Sequence, residues 1–375
     1  MKAYLRGYEL WKLKAPTGRV IGDCTCHYEN LDLLMICLKT DSGHFGWGFG
    51  ETVSDGVFTQ PAPWIRSMPA LAEIRQEFAR NVWPLLENKS PFQLKSQRPR
   101  LPAVYPYLAS AVRIALWDLA AQIAEMPLYE FLGGSPEKNK VRAYGSGLDY
   151  PLSDEAAGAV FRKFVHLGFT AVKVKVGSPD IHRDLKRLQL VRQIVGKDVE
   201  IAIDANEAWD CEEAIRRVAL FQKEGIGIAY VEDLLPRTDV DGMARLNASI
   251  EPDVVGHDYL TDSRDLRRFL ERKAFSRVRV NGDLDYAEAC ADLAMEYQIP
   301  LIFGNSMFEL NVHPALALPQ VDRLEFSDLA WNLLPKTPIR FQEGFALAPT
   351  EPGHGLAPKS ELLEQWSHPE ESTLS

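Results

Sequence analysis

From Val141 onward the chain repeats one rhythm: a short apolar run, a turn, then a stretch with helical periodicity. Strand-like runs fall at "VRAYGSGLD", "AVKVKVG", "EIAIDAN", "IAYVED", "DVVGHD", "SRVRVN", "PLIFGN" and "DRLEFSD". Amphipathic segments such as "CEEAIRRVALFQKEG", Cys211 to Gly225, fill nearly every gap between them. Eight strands alternating with helices at a spacing of roughly 25–30 residues favour an α/β fold with a parallel, TIM-like (β/α)8 barrel. A doubly wound open sheet is the alternative. It calls for a glycine-rich phosphate loop after its first strand, and "GSGLDYP" lacks G-x-G-x-x-G opening a helix.

The first third has another texture. Strand-like "LDLLMICLKT" and "FGWGFGETV" mix with helix-like "MPALAEIRQEFARNVWPLL" and "ASAVRIALWDLAAQIAEM", which reads as an α+β unit ending near Gly133-Gly134. The expected division is 1–135 for this unit, 136–340 for the barrel and 341–375 for a C-terminal segment with a polar tail. At 375 residues and 46% hydrophobic the chain can bury a large core. No apolar stretch approaches the ~20 residues of a membrane span, and "MKAYLRGYELWKLKAP" offers no signal-peptide core, so no membrane partner and a cytoplasmic location are expected. Five scattered cysteines fit a reducing compartment. Cys24, Cys26 and His27 cluster, but a zinc site there lacks a fourth partner at usable spacing. A net charge of −10 without a basic stripe argues against nucleic acid as a partner.

In a barrel, alternation along "AVKVKVG" sends Val172, Val174 and Val176 to one face and Lys173 and Lys175 to the other. If the valines pack on the helices, the lysines project inward at the C-terminal mouth, where barrel enzymes keep their chemistry. An edge strand with solvated lysines is the plain alternative. Acidic residues tip the following strands: Asp204, sharing a face with Asn206, then Glu232, then His257 and Asp258 in "VVGHDY". Such carboxylates repel one another unless a cation sits among them, and a hard divalent metal is the simplest one. Acidic helix caps are the competing explanation. Two ammonium groups side by side should also depress the Lys175 pKa toward neutrality and free an amine to act as a base.

Lysines two apart on the second barrel strand, "DAN" on the third, "VED" on the fourth and "GHD" on the fifth resemble the mandelate racemase / muconate lactonizing enzyme-like branch of the enolase superfamily. "SAVRIALWDLAAQIAEMPLYEFLGG", "GFGE", "VDRLEF" and "EPGHGLAP" extend the resemblance over most of the chain. It implies a modified (β/α)7β barrel, an α+β capping domain to which the C-terminal segment returns, and a lid loop at Ala15 to Asn30. It implies Mg2+, with Mn2+ or another divalent ion as a substitute, and removal of a proton next to a carboxylate. By that match Asp204 and Glu232 are metal ligands, Asn206 stands behind them, Lys175 is the base and Lys173 its electrostatic neighbour. Glu325 matches a carboxyl that, protonated, hydrogen-bonds the substrate carboxylate. A homo-oligomer is also implied.

Three positions depart from the family pattern. Gly256 is followed by His257 and then Asp258, so the third metal ligand is His257 in register or Asp258 through a bulge. The sixth strand offers Arg277, Arg279 and Asn281, where Arg277 and Arg279 could bind a carboxylate or sugar hydroxyls. The seventh offers Ser306 in place of a histidine, and His313 beyond it reads as a packed residue. Tyr144 and Asp149 on the first strand are weaker candidates. These features point to a metal-dependent enzyme acting on a small carboxylate or sugar acid, an acid-sugar dehydratase first. A racemase, epimerase or cycloisomerase is the alternative, and an inactive carboxylate-binding barrel is a third.

Overall fold

Glycine at alternate positions of "FGWGFGE" decides how the first sheet is covered. In the computed structural model β1 (Leu5–Gly22), β2 (Cys26–Thr40) and β3 (Phe45–Thr52) form an antiparallel sheet, with β4 (Gly56–Phe58) paired to the start of β2. The helix Pro106–Ile123 lies on β3 so closely that a Cβ on Gly48 would stand 1.8 Å from the Ala111 carbonyl oxygen, and one on Gly46 2.4 Å from that of Ala115. Strand alternation and the helix's four-residue repeat thus meet backbone to backbone, which no residue with a side chain permits. The structure describes residues 3–53, 55–59, 68–97, 106–258, 260, 262–280, 284–304 and 308–367.

The barrel strands are β5 (Lys140–Ser146), β6 (Ala171–Lys175), β7 (Glu200–Asp204), β8 (Ile228–Glu232), β9 (Asp253–Gly256), β10 (Arg277–Val280), β11 (Leu301–Phe303) and β12 (Val321–Phe326). They pair in chain order, all parallel, and β12 closes on β5. A helix follows each of the first seven, so the expected (β/α)7β barrel beneath a cap sheet is what forms. A hairpin of β13 (Phe341–Gln342) and β14 (Phe345–Leu347) then pairs with the start of β5, and the helix Ser360–Trp366 packs on β1. Among the described residues no helix is long and apolar enough to cross a membrane.

Side-chain alternation sorts each strand into an outer and an inner set. Val172, Val174, Val176, Ile201, Ile203, Val231, Val254, Val278, Leu324 and Phe326 join the core beneath the helices. Inside, Tyr144, Ala171, Ala202, Tyr230, Val255 and Ile302 form an apolar plug. Below the plug, at the strands' N-terminal ends, Arg277 pairs with Asp253 (2.8 Å) and Asp322 (2.5 Å), and Arg323 with Glu200 and Asp322 (both 2.6 Å). Above it lies the mouth. Helix capping is carried by other residues: Ser153, Asp180, Asp210, Asp239 and Asp262 each accept the N–H two or three residues on. That separates the caps from Asp204 and Glu232, which are buried inside the barrel.

Ala15 to Asn30, expected as a lid loop, forms the end of the β1–β2 ribbon. Pairing lapses between Pro16 and Ile21, then resumes at Ile21 with Tyr28 and Gly22 with His27. The tip is tied by Asp23, whose Oδ1 accepts from the Thr25 amide (2.7 Å) and hydroxyl (2.6 Å). It sits on the strand ends: Gly22 donates to the Leu148 carbonyl (3.1 Å) and the Cys24 thiol to that of Ala205 (3.2 Å). Gly177, at φ +106°, has its missing Cβ filled by Cys24 Sγ, 2.6 Å from where that atom would stand.

Candidate active site

Both lysines of β6 turn inward, as alternation requires, and each meets acid. The Lys173 ammonium donates to Glu232 Oε1 at 2.6 Å, with Glu325 Oε1 at 3.0 Å and Asp204 Oδ2 at 3.3 Å. Lys175 donates to Asp204 Oδ2 (2.6 Å) and Asn206 Oδ1 (2.9 Å). Arg279, across the mouth on β10, donates to Glu325 Oε2 (2.7 Å) and to Asp258, and its Nε lies 2.9 Å from Glu232 Oε1. Lys173, Lys175, Asp204, Asn206, Glu232, Arg279 and Glu325 are all buried. With Asp258 at the partly exposed rim, four carboxylates face three cations, leaving one negative charge in excess.

That excess sets the protonation states. Burial pushes Lys175 down and so does Lys173, but Asp204, together with Asp23 and Glu232, prevails and its pKa is raised. Lys173 is raised likewise: burial opposes, and Glu232, Glu325 and Asp204 prevail. The expected depression of Lys175 by its neighbour is thus present but overruled. Burial would raise Asp204, yet Lys175 and Lys173 hold it low. Glu325 is likewise held low against burial, by Lys173 and Arg279. Its carboxylate pairs with both of those cations, Lys173 at 3.0 Å and Arg279 at 2.7 Å. Glu232 moves upward, through burial and the charges of Asp204 and Glu325.

The two residues that follow β9 part company. His257 turns away from the lysines, its Nε2 3.3 Å from Glu207 and its Nδ1 3.5 Å from Asp233. Burial lowers its pKa, but these acids raise it on balance. Asp258 faces the mouth through Arg279. Gly256 is glycine because its Cβ would stand 2.0 Å from the Phe275 ring. Arg277 is not brought to the mouth; it belongs to the lower ring, one pleat repeat too early on β10. Tyr144 belongs to the plug beneath the site. Ser306, Tyr259 and Asn281 lie outside the described residues. His313 accepts the Tyr129 N–H (3.1 Å) and faces the His354 carbonyl (3.0 Å), and burial pushes its pKa down to about 3, a packing role at the junction with the cap.

Glu207 and Asp233 were not singled out from sequence, although both border residues that were: Glu207 directly follows "DAN", and Asp233 closes "VED". Both have positive φ, 66° and 47°, which turns them out of the strand direction toward His257. Glu207 also grips Arg237 through two ion-pair bonds of 2.8 and 2.7 Å.

Among the described residues, no three His, Cys, Asp or Glu side chains converge into a ready metal cage, because Lys173, Lys175 and Arg279 fill the space between the acids. One observation nevertheless fits a cation: Glu232 Oε2 is buried without a hydrogen-bond partner, beside Asp204 and in a cluster one charge short of neutral. Oxygen donors of this kind suit a hard divalent ion.

The profile of the enolase C-terminal domain-like family matches residues 156–362. This chain belongs to the enolase superfamily. Its branch is that of mandelate racemase and muconate lactonizing enzyme. A crystal structure from Mesorhizobium loti, of a protein named for its likeness to mandelate racemase, is 33% identical, with a TM-score of 0.87 over 98% of this chain and 95% of the other. The arabinonate dehydratase of Saccharolobus solfataricus is 27% identical over 356 residues, 90% of this chain and 91% of that enzyme. The L-Ala-D/L-Glu epimerase of Bacillus subtilis is 26% identical over 266 residues, 66% of this chain and 69% of the epimerase. Superfamily relatives of this chain therefore include both dehydratases and epimerases, and the chain is an enzyme of that kind.

Proposed function

We propose that this superfamily member removes the proton α to the carboxylate of a small acid, with Lys175 as base, and that the substrate is an acid sugar which then loses its β-hydroxyl. The observation that carries this reading is the Lys175 amine at the barrel mouth, 2.6 Å from Asp204 Oδ2. Asp204 and Glu232 would hold a divalent cation, Mg2+ first, with Asp258 better turned toward it than His257. When bound, that cation supplies the positive charge that stabilises the substrate carboxylate as it gains enolate character. Once Asp204's charge is engaged elsewhere, the strongest influence holding the Lys175 pKa up is removed, and burial and Lys173 depress it against Asp23 and Glu232. That shift favours the free amine a base requires.

Elimination is favoured over racemisation by what stands opposite. β10 lies four places round an eight-stranded barrel from β6, so Arg279 faces Lys175 across the mouth. A guanidinium pinned by Glu232, Glu325 and Asp258 stays protonated and is no base. One face has a base and the other a fixed cation that can hold an anionic or hydroxyl group.

The test is a panel of aldonic and aldaric acids, arabinonate among them, incubated with Mg2+ in D2O. The reading expects a 2-keto-3-deoxy acid, and neither product nor α-proton exchange with Lys175→Met. Recovery of the α-epimer carrying deuterium, without keto acid, would move the assignment to an epimerase. Binding without exchange for every acid would leave a carboxylate-binding barrel.

A further inference from the structure

The ladder between β5 and β6 stops at Ser146 and Lys173, two residues before Lys175. On the other side of β6 the backbone bonds continue, Val176 donating to the Asp204 carbonyl at 2.9 Å. The Lys175 N–H therefore points to a place where β5 has already ended. A side chain fills the gap: Asp149 Oδ1 accepts from the Lys175 amide at 3.0 Å. Asp149 is itself held by Arg187 of the helix Ile181–Val195, whose Nη1 donates to Asp149 Oδ2 and to the Asp149 carbonyl, both at 2.8 Å. The pair is almost fully buried, with side-chain exposures of 0% and 5%. The same corner seats the cap. Gly22 donates to the Leu148 carbonyl, and Gly22 and Asp149 form a parallel bridge.

We propose that Asp149 is a positioning residue for Lys175: anchored by Arg187, it fixes the backbone at the base and joins it to the tip of the cap ribbon as one unit. The inference rests on the reading of Lys175 as base. Asp149 takes no part in the acid cluster of the mouth and acts through the amide of residue 175, so it governs where the amine stands and not what binds below it. Misplacing a catalytic group by about an ångström costs on the order of 100-fold in rate.

Hydrogen exchange followed by mass spectrometry tests this without a known substrate. Asp149→Ala should speed exchange about tenfold or more in both the 171–177 and the 19–26 segments, because a buried amide loses its acceptor and the 148–149 backbone on which Gly22 sits loses the side-chain ties that hold it. Asp149→Asn keeps an acceptor and should recover the 171–177 protection. On an acid that the wild type turns over, Asp149→Ala should lose about 10–100-fold in kcat with KM within about twofold. Phe221→Leu, a change in the outer core, serves as a control for lost stability and should leave kcat intact. Unchanged exchange at 171–177 in Asp149→Ala, or a kcat loss that Phe221→Leu reproduces at equal Tm, would overturn the proposal. An active Lys175→Met would instead sink the base assignment while leaving the exchange result standing.

Discussion

Two rings of charge line this barrel, one below the plug and one above, and they differ in how fully they are paired. In the lower ring two arginines share three carboxylates, and solvent reaches the Arg277, Asp253, Asp322 and Glu200 side chains, which are 21–47% exposed. Acids outnumber bases by one in both rings, but in the upper ring Lys173, Glu232 and Glu325 are 1% exposed and Glu232 Oε2 has no hydrogen-bond partner among the described residues. Charge inside a barrel is thus no mark of function by itself. A buried carboxylate oxygen left without a partner is, because it costs free energy that a cation or ligand can return.

The largest effect should come from the base. Lys175→Met is expected to lower kcat by about 10²–10⁴, measured on any acid the wild type converts. A loss under tenfold would erase the functional distinction between the rings. Next come the arginines, whose contrast is the sharpest comparison of the two ends. Arg279→Met leaves buried Glu232 and Glu325 to share Lys173 alone and should cost about 3–5 kcal/mol in urea unfolding, whereas Arg277→Met should cost about 1 kcal/mol and leave KM within about twofold. Equal costs would show that the rings are energetically alike. A smaller effect is expected at the rim. His257 and Arg237 hold Glu207 at about 2 against burial, so its contribution is present above pH 4.5, its ordinary value, and is lost as pH falls toward 2. Between those values the wild type should lose on the order of 1–2 kcal/mol more than Glu207→Gln, read from acid-unfolding curves. The smallest effect concerns the ribbon tip. Burial, with help from Asp23 and Asp204, pushes the Cys24 thiol up to about 12, so iodoacetamide at pH 8 should label it far more slowly than a free thiol. Rapid labelling would mean that the tip leaves the mouth.

Much of this was legible in sequence because period-2 alternation is unambiguous on a strand buried on both faces: the valines of "AVKVKVG" fix where Lys173 and Lys175 point, and the same logic carries Asp204 and Glu232. The same logic could not distinguish Arg277 from Arg279, since both share a face and only their height along the barrel separates floor from mouth. His257 and Asp258 were undecidable because direction there depends on how the chain leaves Gly256, not on alternation. The ribbon over Ala15 to Asn30 was not legible because the expectation there came from resemblance alone, and its strand alternation is broken by the lapse in pairing between Pro16 and Ile21. The raised pKa of Lys175 needs the full set of neighbours, and adjacent lysines alone suggest the reverse.

The claim that the upper ring is a site and the lower ring is framework is tested most directly by titrating Mg2+ into the metal-free protein in a calorimeter. The account predicts saturable binding to the wild type and to Arg277→Met, and none to Glu232→Gln. Asp258→Ala should weaken it, and His257→Ala should not. Undiminished Mg2+ binding in Glu232→Gln would contradict it.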